Sequence, residues 1–297
     1  MSTPSTTQAG AAPFARRLSR TARAGLPKAG FAGPGHTAIE VFGPTQIGRT
    51  DPFVMLMEDR LDFQPGQPVG AAHPHAGLET VTLMLEGSLD DPSFGRLETG
   101  DVEWMTAGRG IVHSENLRAT GWARILQLWV ALPSALRTTE PDLQIVPLRT
   151  LPVRREPRVE ARLYSGRTGD LVSPTRNRMP VTLVDFRLEG DAAVGQALPG
   201  EYAGFLYVLA GSVEVHGVKL GAGEVGWFDP VEAAQTDLGL QSGAEGARLI
   251  LYAGAPVGES LTHGGPFVAG SPEELADFYR RYRTGAFERL SNLAHRR

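Results

Sequence analysis

Beyond Ala38 the chain alternates between short apolar runs and turn-forming residues. Ile39 to Phe42, Phe53 to Met57, Thr80 to Leu85, Val102 to Met105, Ile111 to His113 and Ile125 to Leu132 are apolar or alternating, each bounded by Gly, Pro or Asp. That is the pattern of β-strands whose side chains point by turns to opposite faces. No amphipathic helix separates them. A second series begins near Leu151 and includes Val181 to Leu188, Phe205 to Leu209, Ser212 to His216, Glu224 to Phe228 and Arg248 to Tyr252. Two turns recur between the series. Leu85-Glu86-Gly87-Ser88-Leu89 is echoed by Leu209-Ala210-Gly211-Ser212-Val213, and Thr99-Gly100-Asp101-Val102 by Ala222-Gly223-Glu224-Val225, at offsets of 124 and 123 residues. A repeat at nearly constant offset predicts a duplicated β-domain. The period changes once, near the end. Ser271-Pro272-Glu273-Glu274 is a capping box with proline in the first turn, and Leu275, Phe278, Tyr279 and Tyr282 follow at helical spacing, with Gly285 as the stop.

Composition removes several classes of chemistry. The 297 residues contain no cysteine, which excludes thiolate metal sites, iron–sulfur clusters, disulfides and a cysteine nucleophile. Any metal must be held by His, carboxylate or water. Twenty-nine Lys and Arg stand against 33 Asp and Glu, a net charge of −4, so no basic footprint predicts direct nucleic-acid binding. No apolar run approaches the roughly 18 residues of a membrane-spanning helix. The first 39 residues contain no acid and five basic residues, Arg16, Arg17, Arg20, Arg23 and Lys28, among many Ser, Thr, Ala and Gly. That composition has the flavour of a transit peptide, and Arg16-Arg17 that of a twin-arginine signal. No apolar segment follows the pair, so the expectation is a flexible N-terminal arm over residues 1–37 and a cytoplasmic protein.

The candidate chemistry lies in the histidines. His73-Pro74-His75 places two imidazoles at i and i+2, on one face of an extended strand and about 6.5 to 7 Å apart. His113-Ser114-Glu115 repeats the spacing after the turn Gly108-Arg109-Gly110. If the two strands are neighbours in a small barrel, three imidazoles and a carboxylate converge, a donor set suited to a divalent first-row metal with open positions. The plainer alternative is a set of core histidines bonded to backbone carbonyls. Glu79 shares the parity of His73 and His75, and parity alone does not choose between Glu79 and Glu115.

The segments His73-Pro74-His75-Ala76-Gly77-Leu78-Glu79-Thr80-Val81-Thr82 and Gly100-Asp101-Val102-Glu103-Trp104-Met105-Thr106-Ala107-Gly108-Arg109-Gly110-Ile111-Val112-His113-Ser114-Glu115 resemble the signature of the pirin family. Asp51-Pro52-Phe53, Gln127-Leu128-Trp129-Val130 and His263-Gly264-Gly265-Pro266-Phe267-Val268 extend the resemblance from about residue 38 to 292. It implies an all-β bicupin, two jelly-roll barrels followed by a C-terminal helix. The expected divisions are a metal-bearing barrel over 38–150, a metal-free barrel over 151–268, and the helix and tail over 269–297. It also implies that His73, His75, His113 and Glu115 hold one divalent ion, Fe(II) first and Ni, Mn, Cu or Zn as alternatives, with Glu79 demoted to the surroundings. The family includes quercetin 2,3-dioxygenases, which open a flavonol with O₂ and release carbon monoxide, and binding partners of transcription factors. The expected activity is therefore a metal-dependent dioxygenase acting on a flavonol, with Glu115 as proton acceptor. The alternative is a non-catalytic, redox-dependent regulator that binds a protein partner. Leu83, Met84, Trp104, Met105, Gln127 and Trp129 are the expected pocket walls. Ala76 and Leu78 replace the arginine and phenylalanine usual in the first motif, which bears on substrate choice. In the second barrel the counterparts of the histidine pair are expected near Glu201, Tyr202 and Ala203, and His263 is read as a tail-docking residue.

Overall fold

The computed structural model describes residues 14–64, 68–69, 72–91, 95–113 and 117–294. Glu115, like His295, lies outside the described residues. Among those described, strands dominate and build the expected pair of barrels, closed by a C-terminal helix. The first barrel is a sheet ordered Asp142–Val146, Val102–Thr106, Leu78–Asp91, Leu117–Ala131, Phe53–Asp62, His36–Phe42 and Lys28–Ala29. The second is ordered Val153–Glu156, Val159–Ser165, Val181–Leu188, Gln235–Gly254, Ala203–Val215, Glu224–Phe228 and Arg20–Arg23.

The internal repeat is visible in the hydrogen bonding. Val102 pairs with Leu83 in one barrel and Val225 with Tyr207 in the other. The Gly100 amide donates to the Met84 carbonyl, and the Gly223 amide to that of Val208, both at 2.8 Å. The runs expected as two strands, Phe205 to Leu209 and Ser212 to His216, are one bulged strand whose register shifts beside Gly211. His216 falls outside it, in the turn that follows.

Period-two alternation divides the first barrel's strands between two environments. In Leu117–Ala131, Leu126, Leu128 and Val130 are fully buried in a core shared by both barrels, while Gln127 and Trp129 face a cavity inside the first. In Leu78–Asp91, Val81, Leu83 and Leu85 enter the shared core, and Thr80 and Thr82 face the cavity. The same core includes Phe42 and Phe53 from one side and Phe205, Trp227 and Tyr252 from the other. Phe205 meets Phe42 and Phe53 edge-on at 4.9 and 5.2 Å, the arrangement that aromatic quadrupoles favour. Polar staples cross at the rim of this core. The Tyr207 hydroxyl donates to Glu58 at 2.8 Å, and Arg60 and Arg124 pair with the same carboxylate.

The described part of the N-terminal segment is not a loose arm, which corrects the expectation for residues 14–37. Phe14–Ala15 runs parallel to Thr236 and Asp237, and Arg20–Arg23 adds an edge strand to Glu224–Phe228. Lys28–Ala29 then pairs with Thr37 and Ala38 of the first barrel. Arg16 is 1% exposed. Its guanidinium donates to Thr236 Oγ1 and to the carbonyls of Pro199, Gly200, Tyr202 and Asp229. The segment is a strap from one barrel to the other, and its basic residues supply anchors.

The helix follows its sequence signals. Pro272–Arg283 begins with Ser271 Oγ accepting the Glu274 amide at 3.2 Å, and the buried face carries Phe278. The Glu274 carboxylate accepts from the Gly270 amide and from Arg137. The terminal segment therefore docks on the first barrel's edge.

Candidate metal centre

His73–His75 and Ile111–His113 are antiparallel neighbours, His113 opposite His73 and His75 opposite Ile111. Glu288–Arg289 pairs along the other edge of Ile111–His113. The ligand-capable nitrogens of His73, His75 and His113 all lie within 4.8 Å of one another. Their ring centroids are 4.2 Å apart for His73 and His113, 5.0 Å for His73 and His75, and 5.1 Å for His75 and His113. Two of the imidazoles thus share a strand and the third comes from its partner, all on one face.

Burial makes two of these imidazoles, His75 and His113, cation-ready. Desolvation, then the neighbouring His73, pushes His75 down to about 3 against a smaller opposing effect of the Pro266 carbonyl. His113 is also held well below the usual histidine value, by burial and then by His75 and His73. Both are neutral near pH 7 and present lone pairs. His75 Nδ1 and His113 Nε2 are buried with no hydrogen-bond partner. Such orphaned atoms each cost about 1–3 kcal/mol unless something satisfies them. Three convergent imidazoles fit a divalent first-row ion chemically. Among the described residues this is the one grouping of three or more metal-capable side chains.

The cluster faces a cavity of about 1020 Å³ in the first barrel. Trp129 forms one wall, its ring 5.0 Å from that of His75. Gln127 is another lining residue, and its Oε1 accepts from Thr82 Oγ1 at 2.8 Å. The lining also includes parts the sequence reading missed: Phe31 of the strap, His36, Asp59 and Glu103 from the strands, and Pro266 from the motif assigned to tail docking. Strand register offered a signal for part of this set. Thr80 pairs with Trp129 and Thr82 with Gln127, so the face of the two expected wall residues also presents the threonines.

Five expected surroundings residues lie elsewhere. Trp104 belongs to the core shared by the barrels. Met105 packs with Leu78, Ile111 and Leu143 at another point of the barrel. Met84 is fully buried in a cluster with Leu61, Leu89 and Leu97, behind the cavity surface. Leu83, also expected as a wall, is in the shared core. Glu79 is fully buried and accepts from Thr106 Oγ1 and from the amides of Arg178 and Met179. It staples the strand to a segment of the second half and does not line the cavity. Burial pushes its carboxyl up against the opposing effect of those donors. The parity argument failed at Gly77, whose φ of +76° turns the chain between His75 and Leu78. A Cβ there would lie 1.8 Å from the Val268 carbonyl oxygen. After that turn, Thr80 and Thr82 inherit the cavity face.

The second barrel differs at the corresponding place. The pairing that opposes His73 to His113 and His75 to Ile111 opposes Ala197 to Asp237 and Pro199 to Gln235. The counterparts of the histidine pair are thus Ala197 and Pro199, a few residues before the expected Glu201 to Ala203. Beside them sits the Arg16 guanidinium.

Comparison with known proteins agrees with this architecture. A model described as pirin matches residues 36–130, and one described as the pirin C-terminal cupin domain matches residues 183–288. Pirin-1 of Arabidopsis thaliana is 35% identical over 251 residues, covering 81% of this chain and 85% of that protein. Among solved structures, GK1651 from Geobacillus kaustophilus has a TM-score of 0.74 at 37% identity, over 84% of this chain and 99% of that one. A quercetin 2,3-dioxygenase from Acinetobacter baumannii has a TM-score of 0.79 at 25% identity, over 92% and 98%. With two barrels in this order and matches of this extent, the chain belongs to the pirin family.

Proposed function

We propose that the protein is a metal-dependent dioxygenase that opens a flavonol such as quercetin with O₂ and releases carbon monoxide. The observation that carries this reading is the convergence of three imidazoles, those of His75 and His113 buried and held neutral, on a cavity large enough for a flavonol. The likeness to a protein named quercetin 2,3-dioxygenase supports it. A divalent ion held by His73, His75, His113 and Glu115, with iron first and nickel, manganese, copper or zinc as alternatives, would supply Lewis acidity to a hydroxyl beside it and, for every ion named except zinc, a redox-active centre for O₂.

The side chains do the remaining work. In this reading Glu115, two residues beyond His113, is the fourth donor and takes the proton of the flavonol 3-hydroxyl as general base. Trp129 covers His75 on the cavity side. With Met55 and Met57 it makes an apolar lining that keeps bulk water from an electron-rich substrate. Thr82 and Gln127, already bonded to each other, give the wall a fixed polar spot for orienting hydroxyl groups.

The test is an oxygen electrode with quercetin and protein loaded with iron, nickel or manganese in turn. Oxygen uptake by the loaded wild type, lost in His113→Ala and Glu115→Ala, is expected. No uptake with any of these metals overturns the reading. Capture of a protein partner that depends on iron oxidation state, with no substrate consumed, would favour a regulator instead.

A further inference from the structure

One wall of the cavity comes from the strap, where residues 28–33 line it. Phe31 is 73% exposed, yet its ring makes two edge contacts, with His36 at 5.4 Å and with His73 at 5.9 Å. Trp129 contacts a different imidazole of the cluster, His75. Aromatic rings from two unrelated elements therefore meet the cluster, and Phe31 is the one whose surface is largely open.

The loop that carries Phe31 is braced. The Gly30 amide donates to the His36 carbonyl at 2.9 Å, and the His36 amide to that of Gly33 at 3.0 Å. The Ala32 amide donates to His36 Nδ1 at 3.2 Å, which places the ring proton on Nε2, and that nitrogen donates to Asp59 Oδ1 at 2.9 Å. His36 is thus a buried strut between strap and barrel wall. Gly30 lies flat against it, since a Cβ there would come within 2.2 Å of the His36 ring. A strongly exposed aromatic ring held by such a shell, beside a donor cluster and inside a cavity, is built to meet a flat ligand.

We propose that Phe31 is a specificity-determining residue, an aromatic wall that selects planar aromatic ligands for the cavity, and that His36 and Asp59 are the positioning residues that hold it. This role depends on the cavity being the flavonol site proposed above, but not on turnover.

The test uses the full chain loaded with zinc, which does no redox chemistry, titrated with quercetin by quenching of tryptophan fluorescence. Phe31→Ala is expected to weaken binding about tenfold, the loss of one stacked wall, and Phe31→Trp to retain it. His36→Gln, Asp59→Asn and Gly30→Ala are each expected to weaken it to a similar degree. Phe31→Ala combined with His36→Gln should lose no more than Phe31→Ala alone, because the strut acts only through the ring. All variants should keep one zinc per chain and unchanged zinc affinity in chelator competition. Wild-type affinity in Phe31→Ala, multiplicative losses in the double variant, or no quercetin binding by fully zinc-loaded wild type would each overturn the proposal. Tight quercetin binding dependent on Phe31, with no oxygen uptake under redox-active metals, would leave it standing and discard the oxygenase reading alone.

Discussion

The two barrels are copies in backbone and opposites at their mouths. Where the first places His73, His75 and His113, the second has Ala197, Pro199 and Asp237. In place of an imidazole cluster with two orphaned ring nitrogens facing a cavity, it has the Arg16 guanidinium bonded to Thr236 Oγ1 and four backbone carbonyls, with Phe228 beneath it at 5.2 Å. One mouth gathers imidazole lone pairs. The other is closed by a cation of the chain itself. One scaffold thus carries two different mouths, and a handful of residues at the rim makes the difference.

The sharpest way to break this contrast is to remove an imidazole. His113→Ala should reduce bound metal from about one equivalent per chain to none, because two imidazoles with one side of the set missing hold a divalent ion poorly. Elemental analysis of wild type and variant side by side decides it, and full metal in the variant would dissolve the distinction between the barrels. The matching change in the second barrel, Arg16→Met, should leave the metal content intact. It strands a set of buried acceptors, with an expected loss of about 3–5 kcal/mol in chemical denaturation. A loss below about 1 kcal/mol would mean that the guanidinium is ornamental.

A third prediction concerns acid. His75 and His113 have folded values below that of an unfolded histidine, so below pH 6.5 the unfolded chain binds more protons than the folded one. Stability of the metal-free protein should thus be fully present above pH 6.5 and fall as pH drops from 6.5 toward 3, by up to about 1.4 kcal/mol per pH unit for each group. Melting temperatures of wild type and His75→Asn across pH 7 to 4 should converge as the pH falls, and parallel curves would contradict the account. The smallest expected effect is that of Glu79→Gln. The amide keeps one acceptor oxygen, so a loss of about 1–2 kcal/mol with unchanged metal content is expected. Loss of metal in that variant would return Glu79 to the centre.

The sequence carried the strands, the repeat and the histidine convergence because each rests on local information. Ile111 to His113, Val181 to Leu188 and Glu224 to Phe228 have the expected bounds. Ser271 and Glu274 signalled the helix through contacts only a few residues away. What was illegible depends on distant partners. Nothing in the basic composition of residues 14–37 announces that Arg16 will find acceptors near residues 199 to 236. Apolar Trp104 and Met105 look the same in sequence whether they wall a cavity or fill a core, since the side of the strand that faces the second barrel is fixed only by assembly. Glu79 has the parity of His73 and His75 but not their face, because the turn at Gly77 interrupts the strand period.

The core that runs unbroken from Phe42 and Phe53 to Phe205 and Tyr252 makes the duplicated halves a fused pair and not two beads on a string. Each half, severed between Val146 and Val153, would carry a naked oily face. Heating the whole chain should accordingly give one cooperative endotherm, with neither repeat melting ahead of the other.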